Sequence, residues 1–149
     1  MIIRELAPGD RAKWLALWNR YNAFYGREGP TGLSPEITDT TWHRFFDPDE
    51  PVYALVAEMD GQLVGLAHYL FHRSTISVAP TCYLQDLFTS DVMRGRGIAT
   101  KLVKRVLREA EARGSARVYW QTHETNVRAR SLYDRIAERS GFIVYRKVL

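Results

Sequence analysis

Apolar residues recur along this 149-residue chain with two different periods, and the period identifies each element. Ile2 to Leu6 is a short apolar run suited to a strand, broken by Pro8-Gly9-Asp10, where Asp10 offers an N-cap. Trp14, Leu15, Leu17, Trp18, Tyr21, Asn22 and Tyr25 then repeat at helical spacing as far as Gly26, which predicts a first helix. Gly29-Pro30-Thr31-Gly32 reads as a loop. Ser34-Pro35 combines an N-cap with proline at the first helical position, and Ile37, Thr41, Trp42, Phe45 and Phe46 carry a second helix to Asp47-Pro48-Asp49. Val52 to Glu58 and Leu63 to Phe71 are rich in β-formers. Between them, Met59-Asp60-Gly61-Gln62 predicts a tight turn, so the two runs form an antiparallel hairpin.

The second half continues the alternation. Tyr83 to Phe88 reads as a buried strand, and Ile98, Leu102, Val103, Val106 and Ala110 predict a helix from Ile98 to Ala112, closed by Gly114. Arg117 to Thr122 is a strand, Asn126 to Glu138 a helix by the spacing of Ala129, Leu132, Tyr133 and Ile136, and Phe142 to Leu149 a final strand. The order β-α-α-β-β-β-α-β-α-β, without repeats or low-complexity linkers, describes an α/β fold of mixed sheet and flanking helices, expected as one domain over residues 1–149.

Composition supports a packed core: 46% of residues are hydrophobic and 26% charged. No apolar run spans a bilayer, and Arg4, Glu5 and Asp10 interrupt the start before a signal-peptide core forms, so neither a membrane nor secretion is expected. Cys82 stands alone and forms no intrachain disulfide, which fits a reducing, cytoplasmic setting. Charge is unevenly divided, with net −3 over residues 1–75 and net +7 over residues 76–149. Arg94, Arg96, Lys101, Lys104, Arg105 and Arg108 run without an acid until Glu109, as either a solvated helix face or a site for a polyanion.

The segment Arg94-Gly95-Arg96-Gly97-Ile98-Ala99-Thr100 joins a strand to a helix. Glycines there let the backbone turn tightly and aim several N–H groups at one point, where the helix dipole adds positive potential suited to phosphate. The P-loop pattern is absent, and the dinucleotide fingerprint needs a third small residue where Thr100 stands. A plain helix cap is the alternative reading. Downstream, Asn126 and Tyr133 lie seven residues apart, nearly one helix face, and so reach one cleft.

Arg94, Gly97 and Ala99, following Tyr83-Leu84-Gln85-Asp86-Leu87-Phe88-Thr89, make Arg-x-x-Gly-x-Ala after a central strand, and Val118-Tyr119-Trp120-Gln121-Thr122 precedes Asn126 and Tyr133. In these features the chain resembles the GCN5-related N-acetyltransferases, and among them the small polyamine and histone-type enzymes. The resemblance covers nearly the whole chain and implies a mostly antiparallel sheet flanked by helices. It also implies transfer of an acetyl group from acetyl-coenzyme A to a primary amine, polyamine-like or lysine-type, by direct attack in a ternary complex.

On that resemblance, Arg94, Gly95, Arg96, Gly97, Ile98, Ala99 and Thr100 anchor the cosubstrate pyrophosphate. Leu87, Phe88 and Thr89 pair with the pantetheine arm, Asn126 assists, and a backbone N–H near Phe88 stabilises the oxyanion. Tyr133 is the expected general acid, because an unperturbed phenol stays protonated at neutral pH. Asp86 or Glu124 is the expected proton acceptor, directly or through water. Gln85, Glu124, Tyr25 and Glu28 are the expected acceptor-site residues. Relatives commonly carry Glu where Gln85 stands, and an amide takes up no proton, which weakens both the base and the polyamine assignment.

Other chemistry is less supported. His68-x-x-x-His72 lacks a third metal ligand, so no metal is expected, and Cys82 has no nucleophile's partner at recognisable spacing. The terminal β-rich edge, Phe142 to Leu149, points to a homodimer. Two alternatives remain open: a coenzyme A-binding regulator without turnover, and a basic nucleic-acid-binding module, although no nucleic-acid motif is present and such a partner is not expected.

Overall fold

Strands β1 (Ile2–Glu5), β2 (Val52–Met59), β3 (Gln62–His72), β4 (Thr81–Thr89) and β5 (Val118–Tyr119) form one sheet in the order β1-β2-β3-β4-β5. The computed structural model describes residues 1–149. Every pairing is antiparallel except β4 with β5. Helices α1 (Arg11–Phe24) and α2 (Pro35–Arg44) cover one face; α3 (Ile98–Ala112) covers the other, and α4 (Val127–Ile136) follows β5. The hairpin turn has Asp60 at φ 51° and Gly61 at φ 73°, both left-handed, which matches the twist of the strands they join.

The sheet separates two cores. Trp14, Leu17, Trp18 and Tyr21 of α1 and Trp42 of α2 pack on Ala54, Val56, Leu66 and Phe88. Ile98, Leu102, Val103, Val106 and Ala110 of α3 pack on Leu55, Ala67, Tyr69, Cys82 and Leu84. α3 buries all five residues its spacing selects, whereas α1 leaves Leu15 half-buried and Tyr25 at its C-cap exposed, and α2 buries only Trp42. Asp10 does not cap α1 with its side chain; its carboxylate accepts from the Ala7 N–H at 2.8 Å and pairs with Arg4. Gly65 lets α3 approach β3 closely, since a Cβ there would lie 3.0 Å from Ile98 Cγ2 and 3.1 Å from the Phe88 carbonyl oxygen.

A bulge in β4 sets up the site. Tyr69 opposes Leu84 and His68 opposes Asp86, so Gln85 has no partner. The extra residue reverses which side chains face which core: Cys82 and Leu84 face α3, whereas Asp86 and Phe88 face α1.

Three expectations need correction. The final strand is not formed: Phe142–Leu149 has no strand assignment and makes no backbone ladder, with Phe142 90% and Tyr145 88% exposed. β-propensity describes a side chain's fit to a pleated surface, and here no neighbouring strand supplies one. The strand expected over Arg117–Thr122 pairs only at Val118 and Tyr119, and α4 ends at Ile136 rather than Glu138. The other elements follow the expected order.

Candidate active site

β4 and β5 pair at Cys82 with Val118 and at Tyr83 with Tyr119, and there the ladder stops. β4 runs on to Thr89, leaving its outer edge without a strand partner. Beside that edge lies a cavity of about 680 Å³, lined by Tyr21, Phe24 and Tyr25 on one wall, Leu87, Phe88 and Thr89 of β4, the loop before α3, and α4. The Thr89 hydroxyl oxygen is buried there with no hydrogen-bond partner.

The loop has the conformation its glycines allow. Gly95 and Gly97 stand at φ 80° and 73°, and Gly97 is the N-cap of α3. Lys101 N–H donates to the Gly97 carbonyl as the first intrahelical bond, so the N–H groups of Ile98, Ala99 and Thr100 precede the ladder. Together with the helix dipole they make an anion-attracting end. Arg94, Gly95, Gly97, Ile98, Ala99 and Thr100 line the cavity, although Ile98 buries its side chain in the core and offers only backbone. Arg94 is held by Asp91 at 2.5 Å and lies over the Phe24 ring. Arg96 is exposed and outside the lining. Lys101, Lys104 and Arg108 form an exposed face of α3, and Arg105 pairs with Glu109 at 2.6 Å.

On the opposite wall, Asn126 and Tyr133 both line the cavity. Asn126 caps α4, its Oδ1 accepting from the Ala129 N–H at 3.3 Å. The Tyr133 ring meets Trp120 edge-on at 5.4 Å. Burial, with a smaller contribution from Tyr25, pushes the Tyr133 phenol up to about 12, so it keeps its proton across the neutral range.

The remaining residues divide. Tyr25 lines the cavity, whereas Gln85, Glu28 and Glu124 are exposed and outside the lining. Glu124 contributes its backbone carbonyl to Arg130. Asp86 lies behind the wall: its Oδ1 accepts from the Tyr21 hydroxyl at 2.6 Å and its Oδ2 lies 2.9 Å from His68 Nδ1. Burial, and then the Asp86 carboxylate, hold the Tyr21 phenol well above its ordinary range. Sequence reasoning placed Tyr21 and Trp14 in the core and weighed His68 only as a metal ligand; the pairing of His68 with Asp86 depends on a strand register that spacing does not reveal. His72 instead meets the Tyr119 hydroxyl at 2.8 Å. Cys82 is fully buried and its thiol is pushed up to about 11 by burial.

Comparison with known proteins places this geometry in a family. The acetyltransferase (GNAT) family model matches residues 14–137. The chain is 31% identical to the D-amino-acid N-acetyltransferase HPA3 of Saccharomyces cerevisiae, over 99% of this chain and 90% of that protein. The fold matches a ribosomal-protein-alanine N-acetyltransferase from Brucella melitensis biovar Abortus with a TM-score of 0.80 at 20% identity, covering 100% of both chains. It also matches AAC(6')-Iy in complex with the bisubstrate analogue CoA-S-monomethyl-acetylneamine, with a TM-score of 0.82 at 18% identity over 99% and 98% of the two chains. No helix is long and apolar enough to cross a membrane. With the family model spanning most of the sequence and the yeast relative aligned along almost all of it, this chain belongs to the acetyltransferase (GNAT) family, as an N-acetyltransferase whose cosubstrate is acetyl-coenzyme A.

Proposed function

We propose that the cavity between β4 and α4 acetylates the primary amine of a small amino-acid-like acceptor by direct attack in a ternary complex. The carrying observation is the charge of the lining, which includes Arg94, Arg128 and Arg135 and no carboxylate. A polyamine brings several ammonium groups and would need counter-charges that this lining lacks. An amino acid brings one ammonium and one carboxylate. Behind the wall a single carboxylate, Asp86, answers the first, while Arg27, stacked over Tyr21 at 5.7 Å and Tyr25 at 5.2 Å, answers the second. The yeast relative, named for D-amino acids, agrees with this class.

The residues present fit acetyl-coenzyme A. The Arg94–Thr100 loop offers N–H groups and positive charge to its pyrophosphate, the open edge at Leu87, Phe88 and Thr89 offers backbone pairing to its amide-rich arm, and the Thr89 hydroxyl has hydrogen-bonding capacity to spare. Once bound, the cosubstrate supplies a thioester carbon open to amine attack and a thiolate leaving group. Tyr133 Oη holds the proton that the departing sulfur takes, and a backbone N–H near Phe88 faces the developing oxyanion. Asp86 is the sink for the amine's proton; Glu124, exposed and outside the lining, is set aside for that role. Asn126 shapes the wall as the cap of α4.

A panel of amines assayed with acetyl-coenzyme A by thiol release tests this. Amino acids should be accepted ahead of spermidine-like polyamines. Preference for polyamines would overturn the acceptor class, and no turnover with any amine would overturn the enzyme reading in favour of a binding regulator.

The same reading extends to assembly as a homodimer. The exposed Phe142–Leu149 segment, mostly apolar and pairing with no strand of its own chain, is a β-prone run that a second copy covers. Light scattering should exceed the 17.2 kDa monomer at micromolar concentration, and a strictly monomeric result would refute it.

A further inference from the structure

Beneath the α1 wall of the cavity, Trp14, His68, Asp86 and Tyr21 form one chain of hydrogen bonds. The Trp14 indole N–H donates to His68 Nε2 at 3.1 Å, with both side chains buried. An indole only donates, so Nε2 accepts and the ring proton sits on Nδ1. That Nδ1–H donates to Asp86 Oδ2 at 2.9 Å, while the Tyr21 hydroxyl donates to Oδ1 at 2.6 Å. A cationic His68 would set two N–H groups face to face, so the imidazole is neutral. Asp86 therefore has a neutral donor on each oxygen and no Lys or Arg partner. Packing alone does not call for such a group, since an apolar pair fills buried space at a lower desolvation cost.

We propose that Tyr21 and Asp86, held in place by His68 and Trp14, form a proton relay that deprotonates the acceptor's ammonium. The inference rests on the acetyl-transfer reading above. Tyr21, which lines the cavity, is the group that meets the amine. One ammonium N–H bond breaks and its proton joins Tyr21 Oη, while the Tyr21 hydroxyl proton passes to Asp86 Oδ1. Ammonium and carboxylate become amine and carboxylic acid, and the freed nitrogen lone pair forms the new C–N bond as the C–S bond breaks. A second nitrogen proton leaves with amide formation and balances the one that Tyr133 gives to sulfur; Asp86 returns its own proton to water between turnovers. His68 and Trp14 are positioning residues that hold the carboxylate in line with Tyr21. The titratable groups whose charge states couple to Asp86 are His68 from β3, Tyr21 of α1, Tyr25 at its C-cap and Tyr83 on β4 itself, with Arg27 acting on Tyr21 and Tyr25.

The test is kcat/KM against pH for wild type, Tyr21→Phe, His68→Leu, His68→Asn and Asp86→Asn. Two acceptors are compared: a strongly basic amine that is an ammonium at neutral pH, and a weakly basic amine that is already neutral. With the basic amine, Tyr21→Phe, His68→Leu and Asp86→Asn should each lose about tenfold or more at neutral pH and recover as pH approaches about 10, where the amine deprotonates unaided. With the weakly basic amine the losses should be several-fold smaller and should not vary with pH, since no base is then required. His68→Asn, whose amide N–H can take the place of Nδ1–H, should restore most of the loss; should His68→Leu not fold, this variant and Tyr21→Phe decide the question.

Equal losses with both amines at every pH would mean a merely structural network and overturn the relay. A loss confined to Asp86→Asn would overturn the roles of Tyr21 and His68 while leaving acetyl transfer standing. Failure of wild type to acetylate either amine would overturn the enzyme reading itself, and the relay with it.

Discussion

Gly97 separates the cost of a backbone conformation from the cost of losing a binding loop. It holds φ 73° at the start of α3, and a Cβ built there meets no atom within 4 Å. Gly97→Ala therefore introduces no clash within the protein, only left-handed strain of about 1–2 kcal/mol. Against a typical stability of roughly 5–15 kcal/mol the variant remains folded. If residue 97 instead relaxes to negative φ, the N–H groups of Ile98, Ala99 and Thr100 turn away from their common point. Relaxation relieves the strain, and binding must then reverse it to bring the donors together again, so affinity for acetyl-coenzyme A should fall about tenfold or more.

Gly114 supplies the control. It has φ 76° near the other end of α3, with only Ala79 Cβ at 4.0 Å, so Gly114→Ala meets similar strain away from the cavity. Titration calorimetry should show weakened binding for Gly97→Ala and unchanged binding for Gly114→Ala, with similar losses in urea stability. At a ligand concentration about 100 times the wild-type Kd, binding should stabilise wild type by about 2.7 kcal/mol, and a variant with tenfold weaker binding by only about 1.4 kcal/mol. Undiminished affinity in folded Gly97→Ala and Gly97→Val proteins would refute the phosphate-loop reasoning.

Two further outcomes follow from packing and titration. Gly65→Ala should cost about 1–3 kcal/mol in urea unfolding, because its Cβ meets Ile98 Cγ2 at 3.0 Å and the Phe88 carbonyl oxygen at 3.1 Å; a neutral result would mean that α3 shifts freely. Stability should fall as pH rises from about 9, because Cys82, raised from 9.0 to about 11, and Tyr133, raised from 10.0 to about 12, hold their protons in the folded chain after the unfolded chain has released them. Urea midpoints that do not decline between pH 8 and about 11 would contradict both burial assignments. Cys82 should also resist thiol reagents at pH 8 until the protein unfolds.

Local signals carried much of the fold. The α3 face was legible because five apolar residues at helical spacing are the five buried ones. The hairpin was legible because Asp60-Gly61 favours the left-handed pair of conformations it adopts. The loop and the position of Tyr133 were legible for similar local reasons. Pairing information was not. The β4 bulge at Gln85 appears only when β3 is laid against β4, and that register is what brings Asp86 opposite His68. The same gap explains the unformed Phe142–Leu149 strand, whose composition suits a sheet but whose place in one depends on a neighbour.

Steady-state thiol release by Tyr133→Phe, with saturating acetyl-coenzyme A and an amine that wild type accepts, tests most directly that this cavity performs acetyl transfer. The substitution removes one hydroxyl from a half-buried ring and keeps its contact with Trp120, so folding and cosubstrate affinity should change little. Turnover should fall by about 10²–10⁴, the loss typical of a missing general acid. A rate within about twofold of wild type would contradict the assignment and leave Tyr133 as a packing residue of α4.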